Sequence, residues 1–330
     1  MAAPGAAPAG GGPAAGSPPG PRRRPAVVHS EDYFADIGLH VFPMSKFRLI
    51  RDEIVRRGLL ADGEIVAPAP ATIEQVLRVH DREYVEKLLH ERLSVLEEAV
   101  LELPYSTQLV GASFLCAGGS ILAARLAVER GIAVNLGGGF HHAFPDHGEG
   151  FCVFNDVAIA IRDAQAERLV RRAAVIDVDL HQGNGTAAIF AEDPTVYTFS
   201  IHEEQNYPMV KPPSDRDVGL DSGTGGGPYL DALRRYVPEI LDRHGPELVA
   251  YVAGADPFEQ DQLGRLLLTR DDLRERDRIV FGGCRARGIP FVAFLAGGYA
   301  VHVEDTVGIH ADMIAEAFAA LATPPATPEA

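Results

Sequence analysis

Six short, continuous runs of apolar and β-branched residues, interleaved with stretches patterned for helices, constrain this chain more than any other feature. The runs are Ala26–His29, Ile132–Leu136, Ala174–Leu180, Thr195–Ile201, Leu248–Ala253 and Phe291–Leu295. Each reads chiefly as a continuous apolar run rather than an in/out alternation. They therefore read as parallel strands covered on both faces rather than as half-exposed antiparallel ones. Helical patterns fill Ser45–Arg57, Thr72–Glu91, Gly118–Arg130, Asp156–Val170, Tyr229–Arg243, Arg270–Arg287 and His302–Leu321. Asp271, Asp272 and Glu275 give one of them an acidic first turn, suited to a helix N-terminus. The alternation predicts an α/β fold: one domain with an open, mainly parallel β-sheet and helices on both faces. In such sheets ligands bind beyond the carboxyl ends of the strands.

Residues 1–25 stand apart. Ala, Gly and Pro fill 20 of these 25 positions, so the segment has little to bury and is expected to be disordered. Residues 323–330 are Pro-rich and expected to be flexible. The span 26–322 is then one catalytic-sized domain with no internal linker or repeat. Thirty Lys+Arg against 46 Asp+Glu give a net charge of −16. That balance argues against nucleic-acid and anionic-membrane partners and leaves a cationic substrate open. Three cysteines (Cys116, Cys152, Cys284) in a chain this long rule out a disulfide scaffold, and the lack of C-x-x-C spacing argues against a thiolate zinc site. Cys116 and Cys284 fall in helical patterns and read as core residues, and Cys152 as a buried thiol. Free thiols suit a reducing compartment, so the cytoplasm is the expected location.

Chemistry is concentrated at the strand ends. Asn135 is followed by Gly137-Gly138-Gly139-Phe140-His141-His142. The third run carries Asp177, Asp179 and His181, then Gly183-Asn184-Gly185. Ser200 and His202 end the fourth, Gly254-Ala255-Asp256 follows the fifth, and Gly297-Gly298-Tyr299 follows the sixth. Residues i and i+2 of a strand share a face, so Asp177, Asp179 and His181 are expected on one side. Two buried carboxylates and an imidazole are costly together without a cation. A purely hydrogen-bonded Asp/His cluster is the alternative. Asp179, His181 and Asp256 make an N/O-only set of three ligands with a position left for water or substrate, the open kind of metal site. Zn(II) suits it first, and Fe(II) competes for the same ligands. The tandem His141-His142 suits acid/base work beside such a metal, against the plainer reading of a solvated loop pair. Tyr299 offers a hydroxyl to a developing oxyanion, or simply packs.

Together these segments resemble the zinc-dependent histone deacetylase family, of the arginase–deacetylase fold. The resemblance rests on Gly137 to Ala143, Gly150-Phe151-Cys152-Val153-Phe154-Asn155-Asp156, Asp177 to Gly185, Gly254-Ala255-Asp256 and Gly297-Gly298-Tyr299, in the family's order and spacing. It implies that Asp179, His181 and Asp256 are metal ligands and His141 and His142 the catalytic pair. Asp177 would orient His141, and Tyr299 would polarise the substrate carbonyl. Phe151, with Gly150 and Gly298, would line a narrow channel for an acyl-lysine side chain. It further implies a structural potassium or sodium site built from Asp177, Asp179, His181, Ser200 and Ile201. The implied reaction is removal of an acyl group from an Nε-acyl-lysine peptide or protein by activated water.

Two positions depart from the commoner pattern. Gln182 stands where many members have a second His, and Gly183-Asn184-Gly185 replaces Gly-Asp-Gly. Both resemble the class IV branch, as does Gly254 to Leu268, and that branch is linked to removal of long fatty acyl groups. Asn184, behind His142, would raise its basicity less than a carboxylate does. Three rivals are carried forward: an amidohydrolase of acylpolyamines or other small acyl-amines, an arginase-like binuclear manganese hydrolase, and a non-catalytic ligand-binding relative. The tandem His and Gly-Gly-Tyr speak against the second, and the intact ligand set against the third. Oligomeric state is not legible.

Overall fold

The computed structural model describes residues 24–322. Apart from Arg24 and Pro25, the two expected tails lie outside the described residues. Seven strands form one sheet: β1 (Ala26–Val28), β2 (Ile132–Asn135), β3 (Ala173–Asp177), β4 (Val196–Glu203), β5 (Arg216–Leu220), β6 (Leu248–Val252) and β7 (Phe291–Phe294). Their order is β1-β2-β7-β6-β3-β4-β5 and every pairing is parallel. The helices are α1 (Lys46–Arg56), α2 (Ile73–Val76), α3 (Arg82–Leu89), α4 (Val95–Leu101), α5 (Thr107–Arg130), α6 (Asp156–Ala166), α7 (Asn184–Phe190), α8 (Gly226–Arg243), α9 (Arg270–Ala286) and α10 (Val303–Ala322).

The expected two-sided burial is present. On β6, Val249 and Tyr251 enter one core with α1, α8, α9 and α10, while Leu248, Ala250 and Val252 enter the other with α5 and α6. Successive side chains of a strand point to opposite faces, so a strand buried on both must be apolar throughout. The order also sets the active edge. Strands β2, β7, β6 and β3 are immediate neighbours, and from their carboxyl ends come His141–His142, Tyr299, Asp256 and Asp177–His181 respectively.

Four local expectations are corrected. Strand β5 was not anticipated: it is an edge strand with exposed Arg216 and Asp217, so it lacks a continuous apolar run. The single helix expected over 72–91 is two, α2 and α3. Between them the His80 ring bonds the Phe144 carbonyl and the Asn155 N–H, and the Asp81 N–H donates to Pro145 O, so tertiary partners claim this backbone. Helix α5 begins at Thr107 rather than Gly118. Its interior glycines are contact points rather than breakers, since a Cβ at Gly118 would strike the Ala69 carbonyl and one at Gly119 the Tyr33 hydroxyl. The short helices α4 and α7 fall in stretches to which the sequence pattern assigns no element. Among the described residues α5 is also the one helix long and apolar enough to cross a membrane, yet most of it is buried in the fold. All three cysteines are free and buried.

Candidate active site

The β2 loop is held from α6. Asn155 caps α6 through Ala158 N and turns its Nδ2 to the carbonyls of His141 and Ala143, each at 3.3 Å. Asp156 accepts from Phe140 N at 2.7 Å and Gly139 N at 3.1 Å. Burial pushes the Asp156 carboxyl up to about 6 against these hydrogen bonds. The Asn155-Asp156 dipeptide therefore fixes the backbone that presents the His pair.

Strand β3 ends at Asp177, so the alternation expected to align Asp177, Asp179 and His181 stops before it can act. Their convergence comes instead from carboxylates that cap the following backbone. Asp177 Oδ1 accepts from Asp179 N at 3.1 Å, and Asp179 Oδ1 from His181 N at 3.0 Å. Asp256 Oδ1 accepts from Leu180 N at 3.0 Å, and Asp179 Oδ2 from Gly297 N at 2.8 Å. These bonds sew the ends of β3, β6 and β7 together. Asp177 does not face the ligand set: its Oδ2 lies 2.6 Å from His141 Nδ1.

One ligand atom each from Asp179, His181 and Asp256 lies within 4.8 Å of the others, and all three residues are buried. His181 Nδ1 is 3.2 Å from both Asp179 Oδ1 and Asp256 Oδ2. The contact with Asp256 Oδ2 lacks hydrogen-bond geometry, which leaves that buried oxygen without a partner. A Cβ at Gly254 would strike both carboxylates, and one at Gly297 would strike Asp256, so bare backbone lines the back of the cluster. An orphaned carboxylate oxygen converging with an imidazole nitrogen and a second carboxylate fits a cation held by N/O donors. Electrostatics agree. Burial and the neighbouring Asp179 push the Asp256 carboxyl up to about 6. Burial opposes charge on His181, but Asp179 and Asp256 outweigh it and raise the ring to about 10, so positive charge is favoured between them.

A cavity of about 170 Å³ opens above this cluster, lined by Glu102, His142, Gly150, Phe151, His181, Asn206, Tyr207, Leu263 and Tyr299. Phe151 holds a positive φ of 67°, and its N–H donates to Leu101 O at 2.9 Å, so α4 pins this wall. Gly150 is required next to it: a Cβ there would stand 2.9 Å from the His142 ring and 3.0 Å from Tyr207. Gly298, also expected on the channel, is not among the residues lining this cavity, and a Cβ there would meet Thr306, Ala255 and His310. The Tyr299 N–H donates to Asp261 Oδ2 at 2.7 Å. Burial first, then Asp256, hold the Tyr299 phenol well above its ordinary value, so it stays a donor. The two His rings are 4.1 Å apart. His142 Nδ1 lies 2.7 Å from Asn184 Oδ1.

Ser200 and His202 of the fourth strand do not line the cavity, whose walls from this side are Asn206 and Tyr207 in the loop that follows. Ser200 pairs in register with Asp177, but its hydroxyl is 2.9 Å from His202 Nδ1, and burial lowers that imidazole to about 4. Several site residues escaped the sequence. Lys46 is fully buried below Tyr299, donating to Ala296 O at 2.6 Å with its ammonium 5.7 Å from the Tyr299 ring. Burial lowers it to about 8 against the pull of Asp256, Asp179 and Asp261. Its signal was present: Lys46 shares a helical face with Ile50 and Ile54, a buried stripe where a lysine needs a reason. Glu102, Glu149 and Tyr207 lie on loops and carried no such signal.

Comparison with known proteins places this geometry. The histone deacetylase domain model matches residues 40–313. An uncharacterized protein of Picosynechococcus sp. is 40% identical over 285 residues, covering 86% of this chain and 95% of that protein. Histone deacetylase 2 of Arabidopsis thaliana is 34% identical, covering 84% of this chain and 76% of its own length. The crystal structure of the HDA15 HD domain superposes with a TM-score of 0.74 at 21% identity, covering 92% of this chain and 90% of that one. The last likeness establishes a shared fold.

Proposed function

This chain belongs to the histone deacetylase family, and from that premise we propose that it is a metal-dependent amide hydrolase that removes acyl groups from Nε-acyl-lysine. The observation that carries the reading is the convergence of Asp179, His181 and Asp256 at the floor of a cavity walled by His142 and Tyr299. Asp179, His181 and Asp256 would hold Zn(II), or Fe(II) on the same donors, and the ion would supply the Lewis acidity that acidifies water and polarises the acyl carbonyl. Within that frame the chain's own groups divide the work. His142 accepts a proton from the attacking water as its oxygen bonds the acyl carbon. As the C–N bond breaks, His142 returns the proton to the leaving amine, and the carboxylic acid and free amine depart. Tyr299 donates its hydroxyl to the oxygen that gains negative charge. His141, charged through Asp177, keeps positive potential beside that oxygen. Phe151 and Tyr207 hold the aliphatic side chain and exclude water. The monovalent cation implied for Asp177, Asp179, His181, Ser200 and Ile201 is part of this proposal, supported by the register that sets Ser200 beside Asp177. Gln182 and Asn184 support a place near the class IV branch.

Glu102 on the cavity wall favours a second reading, an acylated polyamine whose distal ammonium meets that carboxylate. One assay separates the two. Metal-reconstituted protein is offered acyl-lysine peptides from acetyl to myristoyl beside acylated di- and polyamines, with Tyr299→Phe as control. Peptide turnover that falls ~100-fold or more in kcat in the variant supports the lysine deacylase. Turnover of the amines alone overturns it in favour of the small substrate, and silence on both with metal bound overturns the hydrolase reading.

A further inference from the structure

The polar chain behind His142 does not end at Asn184. Asn184 Nδ2 donates to Glu149 Oε1 at 2.7 Å, and the Tyr207 hydroxyl donates to the same oxygen at 2.8 Å. The other carboxylate oxygen faces His147 Nε2 at 3.3 Å. Paired backbone bonds between Glu149 and Cys152, at 2.9 and 3.1 Å, hold the residue in place. Partial burial opposes ionisation of Glu149, yet hydrogen bonds from His147, Tyr207 and Asn184 hold its carboxyl below the ordinary value. It is therefore an acceptor and nothing else.

That polarity reaches His142, two hydrogen bonds along the chain of contacts. The two ends of an Asn amide are nearly the same shape, and only their partners decide which way round it sits. An ionised Glu149 can accept only from the NH2 end. The carbonyl end must then face His142, and a carbonyl oxygen accepts only from a protonated Nδ1. The remaining nitrogen, Nε2, is left with its lone pair, the form a base needs. With the amide reversed, its NH2 would donate to Nδ1 and the proton would move to Nε2, where it blocks the base. We infer that Glu149 is a positioning residue for the reaction: it fixes the orientation of the Asn184 amide and, through it, the tautomer of His142. Tyr207 is held by the same oxygen, with its ring edge-on to His142 at 5.1 Å, so wall and base are set by one carboxylate. The inference rests on the hydrolase reading for its effect on rate, whereas the tautomer can be read without substrate.

The test is long-range ¹H–¹⁵N correlation spectroscopy of the zinc-loaded, histidine-labelled full chain at mildly alkaline pH, with His142→Gln identifying the ring signals. The wild type should show the Nδ1–H tautomer at His142. Glu149→Ala should lose it, wholly or into a mixture, while Glu149→Gln, whose carbonyl still accepts from Asn184, should keep most of it. Glu149→Met, closer in volume, stands in for the truncation if Glu149→Ala does not fold. In the acyl-lysine assay the truncation should lower kcat ~10- to 100-fold, the usual range for removing a residue that orients a working ligand or base. KM should rise by less than kcat falls, through the released Tyr207 wall, and the Gln variant, whose carbonyl still accepts from both Asn184 and Tyr207, should recover most of the rate. A Nδ1–H signal that persists in the truncated chain, or an Nε2–H tautomer in the wild type, overturns the inference whatever the rates. If the tautomer responds as expected in a protein that cleaves no acyl-lysine, the inference stands and the proposed substrate falls.

Discussion

His141 and His142 are consecutive, buried and 4.1 Å apart ring to ring, yet their surroundings drive them to opposite charge states. Burial alone would neutralise both. For His141 that pressure is overcome by Asp177, 2.6 Å from Nδ1, and by Asp179, which together raise the ring to about 9. For His142 burial dominates and the positive charges of His141 and His181 reinforce it; the Asn184 hydrogen bond and the more distant Asp179 carboxylate offset them only in part, so the imidazole is held well below its ordinary value. Its Nδ1 partner is a neutral amide. The difference teaches that position in the loop does not assign the roles; the partner behind each ring does. One ring is kept as a cation and its neighbour neutral, the form the proposed base needs.

The comparison breaks most completely if the anionic centre that both rings adjoin is removed. Asp179→Ala takes away one member of the proposed ligand set, the acceptor for Gly297 N and a carboxylate 3.8 Å from His141 Nε2. Elemental analysis should find the metal lost and turnover abolished with it. Full activity with bound metal would show that the cluster is structural. A narrower test makes the two rings alike. Asp177→Asn gives His141 an amide partner, as His142 already has. Without the carboxylate, burial wins and His141 becomes neutral near pH 7. The expected loss is ~10- to 100-fold in kcat with metal content retained. An unchanged kcat would mean that the charge on His141 has no part in the reaction.

Which parts of this arrangement the sequence discloses follows from how local each cause is. The central strands are legible because burial on both faces demands unbroken apolar runs such as Leu248–Val252, and the residues that leave their ends follow directly. Edge strand β5 hides because exposed Arg216 and Asp217 remove that signal. The Asp179, His181 and Asp256 cluster is legible, but the alternation argument behind it is not what operates: β3 ends at Asp177, and carboxylate-capped backbone brings Asp179 and His181 into place. The helix over 72–91 breaks at His80 and Asp81 because their partners, Phe144, Pro145 and Asn155, lie more than 60 residues away. Glu149 and Tyr207 are illegible for the same reason. Each is an ordinary loop residue until Asn184 and the cavity are brought beside it, across 35 and 58 residues of chain from Glu149.

The smallest expected effect sharpens the comparison most. Asn184→Asp places a carboxylate behind His142, so that both rings have acidic partners. A nearby negative charge favours the imidazolium and raises the pKa of His142. The base must be neutral to act, and it loses that form when pH falls through its pKa. The acidic limb of the kcat/KM profile should therefore move to higher pH, with little loss on the alkaline side. The groups facing His142 modify the size of the shift. His141 and His181 oppose charge on the ring in wild type and variant alike. Glu149 does not stay constant, because its hydrogen bond from Asn184 is replaced by contact with a second carboxylate. One of two adjacent carboxyls then retains a proton, which blunts the field at His142. Glu149→Gln in the same chain removes that competition and supplies an amide donor to the new carboxylate. The limb should thus move further in Asn184→Asp with Glu149→Gln than in Asn184→Asp alone. Equal limbs in both would show that Glu149 does not reach His142 through position 184. A limb that stays where the wild type has it would show that the amide is not what keeps this imidazole neutral, leaving burial and the two neighbouring charged rings as sufficient causes.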